Sequence, residues 1–148
     1  MARLRLWVNG QGPDGRDLAP SEVVVEWAGR TGHPTSYALL GGLRRADQST
    51  VSTPAEGAVF ANALAGRNDT VIFGLPGPYR DTVALVLGDS PDRIVVVTTA
   101  AHGLVGSSQM AFRRVAGFLA TLLDLDAVAA SDVELWDAWD RSVAEATR

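Results

Sequence analysis

The chain has 148 residues, which is enough for one domain, and a chain of this size removes roughly two thirds of its unfolded surface from water without a covalent staple. It contains no cysteine, which excludes disulfides, thiolate nucleophiles, zinc knuckles and iron–sulfur clusters. The net charge is −4, and all 13 basic residues are arginines scattered along the chain, so the basic stripe of a nucleic-acid binder is missing.

Apolar residues make up 47% and charged residues 20%, an ordinary globular balance. The N-terminus lacks the apolar run of a signal peptide, and no window approaches the ~20 apolar residues of a membrane span. These features predict a soluble, cytoplasmic protein with neither a nucleic acid nor a membrane as partner.

Segment 3–9 alternates, with Leu4, Leu6 and Val8 on one face and Arg3, Arg5 and Trp7 on the other, the pattern of a strand. The Gly-, Asp- and Pro-rich stretch 9–21 is a long loop. The valines of 22–27 predict a second, buried strand, and 35–41 a third. Residues 42–52 read as either a strand continuation or an irregular connection. A capping box of Thr53 and Glu56, with Pro54 at the first helical position, predicts a helix over 53–66.

Strands are then predicted at 70–75, 82–88 and 93–99. Their short connections exclude parallel crossovers, so an antiparallel meander is expected. A helix follows over about 107–124, its stripe made by Phe112, Val115, Ala116, Leu119, Leu122 and Leu123. The last helix starts at Ser131, capped with Glu134. Trp136, Trp139 and Val143 form its docking stripe, and Asp137 is spaced to pair with Arg141. The order β-β-β-α-β-β-β-α-α gives an α+β class: one mostly antiparallel sheet of five or six strands, with about three helices packed mainly on one face.

Several stretches offer chemistry. In 102-HGLVGSSQ-109, a strand turns into a helix through two glycines, a place where free N–H groups can meet an anion. His102 and Ser107 are its binding candidates. It lacks the pattern and lysine of a phosphate loop, and the glycine count of a dinucleotide fingerprint. The plainer expectation is a structural corner, with Val105 in the core and Ser107 capping the helix. A nucleophilic triad could be drawn from Ser107 or Ser108, His102 and one of Asp81, Asp89 or Asp92, but there is no G-x-S-x-G elbow.

The stiff segment 74-GLPGPYRD-81 presents Tyr79, Arg80 and Asp81 as a binding trio, or is a plain hairpin turn. Glu26 lies in a near-continuous apolar strand and is, with His102, a candidate acid or base if it faces a cavity. The plainer expectation for Glu22 and Glu26, which share strand parity with Val24, is an exposed polar edge. Two histidines without cysteine offer little to a metal, and His33 sits in a turn. No metal site and no cofactor are expected.

No motif names a reaction, and enzymatic activity stays open. One reading is a non-catalytic binding or interaction protein: a regulator, an adaptor or an inhibitor of another protein. The other is a small-molecule enzyme or ligand carrier of cyclase, isomerase or hydrolase type, with a pocket between sheet and helices. The partner is another protein or a small-molecule ligand, and a homodimer is compatible with both readings.

Overall fold

The architecture was derived from a computed structural model, which describes residues 3–29, 36–45, 57–66, 69–88, 94–124 and 132–146. The fold is α+β. Five strands, β1 (Arg3–Val8), β2 (Val23–Gly29), β3 (Ser36–Arg45), β4 (Val71–Phe73) and β5 (Ile94–Gly103), form an antiparallel sheet in the order β1-β2-β3-β5-β4. Helix α1 (Gly77–Leu87) connects β4 to β5, and α2 (Gln109–Asp124) and α3 (Asp132–Ala146) follow.

Strand β2 is buried along its whole length, as its valine run requires. Its period of two sends Val23, Val25 and Trp27 to one face, where they meet Ala38, Leu40 and Ala100. All three helices cover that face. Phe112, Val115, Ala116, Leu119 and Leu122 of α2 fall on one helical stripe and are fully buried. Trp139 of α3 lies 5.2 Å from the Trp27 ring and meets Phe118 edge-on at 5.4 Å. The opposite face carries Val24, Ala28, Tyr37, Leu39, Phe73 and Ala101, and segment 57–66 covers it with Phe60, Ala63 and Ala65.

Four sequence expectations are corrected. Strand 82–88 is instead part of α1. Its apolar run was short enough to fit either period, and Val83 and Leu87, four apart, are the buried pair that helical spacing produces. The supposed turn before it is the first turn of the helix, with a proline where no N–H is needed. β4 and β5 are therefore antiparallel neighbours, but a helix joins them rather than a middle strand.

Residues 57–66 hold no α-helix. Val59 bridges Ile72, and the backbone bonds go to β4: Gly57 N–H to the Phe73 carbonyl (2.9 Å), Phe73 N–H to the Ala58 carbonyl (2.8 Å) and Phe60 N–H to the Val71 carbonyl (2.9 Å). Pairing with a sheet edge has overridden the local helix signal. The described order is thus β-β-β-β-α-β-α-α.

In α3, Trp136 is 42% exposed, and docking falls to Ala138 and Trp139. Arg141 donates to the Asp137 carbonyl (3.4 Å) rather than to its carboxylate. The caps Thr53 and Ser131, His33, and residues 46–52 lie outside the described residues.

The fourth correction concerns the two glutamates, which are buried rather than an exposed edge. Glu22, just before β2, accepts from Nη1 and Nη2 of Arg16 (3.1 and 2.5 Å), the Thr98 hydroxyl (2.6 Å) and the Ala19 N–H (3.0 Å). Glu26 accepts from Arg5 Nε (2.8 Å), the Tyr37 hydroxyl (2.5 Å) and the Leu64 N–H (2.9 Å), and Arg5 Nη2 stands 2.6 Å from its Oε1. Arg5 also donates to the Asn62 carbonyl (2.8 Å) and lies over the Trp7 ring at 4.6 Å. Buried charge is tolerable only when paired in this way.

Burial alone would favour the neutral acid at Glu22. The bonds from Arg16, Thr98 and the Ala19 N–H outweigh it and hold the carboxyl below its ordinary range. Burial, the Glu26 charge and the bond to Glu26 push the Tyr37 phenol far up. A group with a lowered folded pKa stabilises the fold above its unfolded value (~4.3 for Glu) and loses that contribution as pH falls through the folded value. Glu22→Gln is therefore expected to cost about 2 kcal/mol at neutral pH, the scale of charge-assisted hydrogen bonds. The gap to wild type should narrow on acidification, read as urea midpoints from neutral to acid pH. A gap that stays constant with pH would contradict the pairing.

Candidate functional site

Two corners of the fold lie side by side, because β4 and β5 pair with Ile72 opposite His102 and Val71 opposite Gly103. At one corner β4 turns through Gly74, Leu75 and Pro76 into α1. At the other, β5 turns through residues 104–108 into α2. Most of the polar side chains singled out in the sequence gather here.

The first corner opens an accessible cleft of about 380 Å³, lined by Gly57, the 72–77 stretch, Arg80 and His102. Gly74 adopts φ 134°, a conformation that side chains resist. Its carbonyl lies 3.1 Å from Nδ1 of His102. A carbonyl only accepts, so Nδ1 is the donor in this contact. Arg80 donates to the Leu75 carbonyl (3.3 Å), which draws its guanidinium back over the loop.

Tyr79, Arg80 and Asp81 lie in succession on α1. Helical geometry rotates successive residues by about 100°, so they face three ways. Tyr79 turns inward, stacks on Phe112 at 4.8 Å and donates to the Ser107 carbonyl (3.0 Å). Arg80 borders the cleft, and Asp81 is exposed.

The second corner is a loop with its own counter-ion. The Asp69 carboxylate accepts the Val105 N–H (3.1 Å) and the Gly106 N–H (2.7 Å). Leu104 N–H donates to the Thr70 carbonyl (3.0 Å), and Gly103 N–H to the Ser107 hydroxyl (2.9 Å). That hydroxyl in turn donates to the Tyr37 carbonyl (2.6 Å), and the Gly106 carbonyl accepts the Tyr37 N–H (3.3 Å). A β-carbon on Gly103 would collide with the Asp69 carboxylate, so this position needs glycine for close approach. The N–H groups of residues 103–106 are thus already engaged from within.

Ser108, not Ser107, caps α2, accepting the Ala111 N–H (3.1 Å). No hydrogen bond joins either serine to His102 among the described residues, and Asp89 and Asp92 lie outside them. Glu26 sits within its own set of donors on the other face of the sheet. The described residues hold no group of three metal-ligating side chains.

Val105, expected in the core, is 65% exposed, and Leu104 beside it is 60% exposed. Asp69 holds the 105 and 106 N–H groups inward, which sends the side chains out. Asp69 had no distinguishing sequence signal, since it falls just before the predicted strand 70–75 as an ordinary loop residue. Leu104-Val105 did have one: an aliphatic pair between two glycines, where turn residues are normally polar.

Asp69→Ala should orphan two N–H groups and cost about 1.5–3 kcal/mol. Asp69→Asn, with a single acceptor oxygen, should fall between it and wild type. Urea unfolding measures the order, and equal midpoints for all three proteins would remove Asp69 from its assigned role.

Comparison of the chain with protein-family models, with curated proteins and with solved structures gave no match.

Proposed function

We propose that this is a non-catalytic binding protein that docks on another protein through the β5–α2 loop, with Leu104 and Val105 as its anchor. The observation that carries the reading is the contrast within one loop. Its backbone is fastened by Asp69, Thr70, Ser107 and Tyr37, while its two largest apolar side chains stand in solvent. A fastened loop pays little ordering cost on association. Burying an aliphatic side chain of this size contributes about 1.5–3 kcal/mol. A convex aliphatic pair on a rigid turn suits an apolar socket on a partner protein. The engagement of Glu26, Ser107 and Nδ1 of His102 in structural hydrogen bonds also supports a role without chemistry.

A photo-crosslinking residue at position 104 tests the reading in cells, with the same residue at the exposed position 85 of α1 as control. A discrete adduct is expected from 104 alone. Against the purified partner so identified, Leu104→Asp/Val105→Asp should weaken binding by about 30-fold or more, the scale of an interface hot spot, with an unchanged urea midpoint. An affinity indifferent to the double substitution would overturn the proposal.

A second reading, a small-molecule carrier, has the cleft in its favour, since Arg80 and His102 border the same opening. An anionic group would meet Arg80, with the remainder on Ile72, Phe73 and Pro76. Phenyl phosphate titrated into labelled protein should then shift the amides of Gly74, Gly77 and His102 saturably, and Arg80→Ala should abolish the effect. Unchanged amides at millimolar ligand would discard the carrier reading.

A further inference from the structure

The two edges of the sheet differ. Residues 57–60 pair with β4 and close that edge. Among the described residues nothing pairs with the outer edge of β1, six residues long and regular in its register with β2. Open edges of this kind are usually blunted by outward charge, proline or a bulge. β1 has no proline, and its two arginines are drawn across one face of the sheet rather than out from the edge: Arg3, itself exposed, donates to the Leu64 carbonyl (2.6 Å), and Arg5 to Glu26 and the Asn62 carbonyl. Leu4, Leu6 and Val8 remain only partly buried at the rim of the helix-covered core.

We propose that β1 pairs antiparallel with β1 of a second copy, about a two-fold axis through Leu6, and so continues the sheet across both chains. The register follows from chemistry. A two-fold axis perpendicular to the sheet keeps both helix layers on one side, so residues of equal parity must face each other. An axis at Leu4 sets Arg3 against Arg5, and an axis at Arg5 sets that residue against its own copy. Like charges directly opposite are destabilising. An axis at Trp7 leaves Arg3, Leu4 and Arg5 beyond the paired stretch of strand, whereas an axis at Leu6 leaves only Arg3. The axis at Leu6 sets Leu4 against Val8, Arg5 against Trp7 and Leu6 against Leu6. Every pair is then apolar or a cation facing an indole, and each unlike pair occurs twice. The stacking of Arg5 on its own Trp7 shows that the two groups lie on one face and suit each other.

The absence of native cysteine permits a clean test in the full chain. In this register the α-carbons at position 6 lie about 4.5–5.5 Å apart across the axis, within reach of a disulfide. Those at position 8 are displaced by about 14 Å along the strands, beyond reach. Under mild oxidation Leu6→Cys should form a covalent dimer, and Val8→Cys should stay monomeric. Sedimentation equilibrium of the unmodified protein should show a reversible dimer. Trp7→Lys, which sets like charges across the axis, should raise its dissociation constant about tenfold or more. Isotope-filtered NOEs between Arg5 of one copy and Trp7 of the other report the register without any substitution. A monomer at all concentrations, equal crosslinking at positions 6 and 8, or a dimer lacking those NOEs would each overturn the proposal.

Discussion

Two carboxylates on one side of a single strand organise this molecule. Glu22 and Glu26 emerge four residues apart beside β2, both toward the face opposite α1, α2 and α3. Each is buried, and each is met by one arginine and by two further hydrogen bonds. Without those partners the desolvation of either charge would be prohibitive. With them, each acts as a clasp. Glu22 fastens the 9–21 loop to β2 and β5, and Glu26 fastens β1, β3 and the 57–66 segment. The helix-covered face is held by packing, and the other face by polar clasps around a small apolar core.

The same device recurs at the β5–α2 corner. A carboxylate from one segment meets N–H groups of another, and Asp69 does for the loop what Glu22 does for the long N-terminal segment. The difference lies in what is left outside. At Glu22 and Glu26 the clasp draws apolar cover over the sheet. At Asp69 it turns the backbone inward and pushes two aliphatic side chains out, and the proposed docking role grows from that inversion.

Much of the fold was legible in the sequence. Period-two alternation marked β1, the valine run marked β2, and the 3.6-residue stripe marked α2. The α+β class and the one-sided helix layer followed from them. What failed had physical causes. The run 82–88 was short and apolar enough for either period, and tertiary burial of Val83 and Leu87 decided for helix. Segment 57–66 followed a strong capping signal, yet its N–H and carbonyl groups found partners on β4, information absent from any local window. The site was only partly legible: His102, Ser107, Tyr79 and Arg80 do gather at one end of the sheet, but Asp69, which holds the backbone of Val105 and Gly106, stands well before that loop in the sequence and carries no local signal.

Strand order carries a consequence for how the chain assembles. β1, β2 and β3 are sequential neighbours and can pair as soon as they exist. β4 cannot join them, because β5, made later, occupies the place beside β3. Until β5 arrives, β4 is a three-residue strand with only the 57–60 segment at its side, far short of what a strand pair needs to persist in water. Closure of the sheet is thus a long-range event that waits for α1 to be spanned. The β4–α1 cleft and the Asp69 clasp on the following loop both lie on the far side of that event.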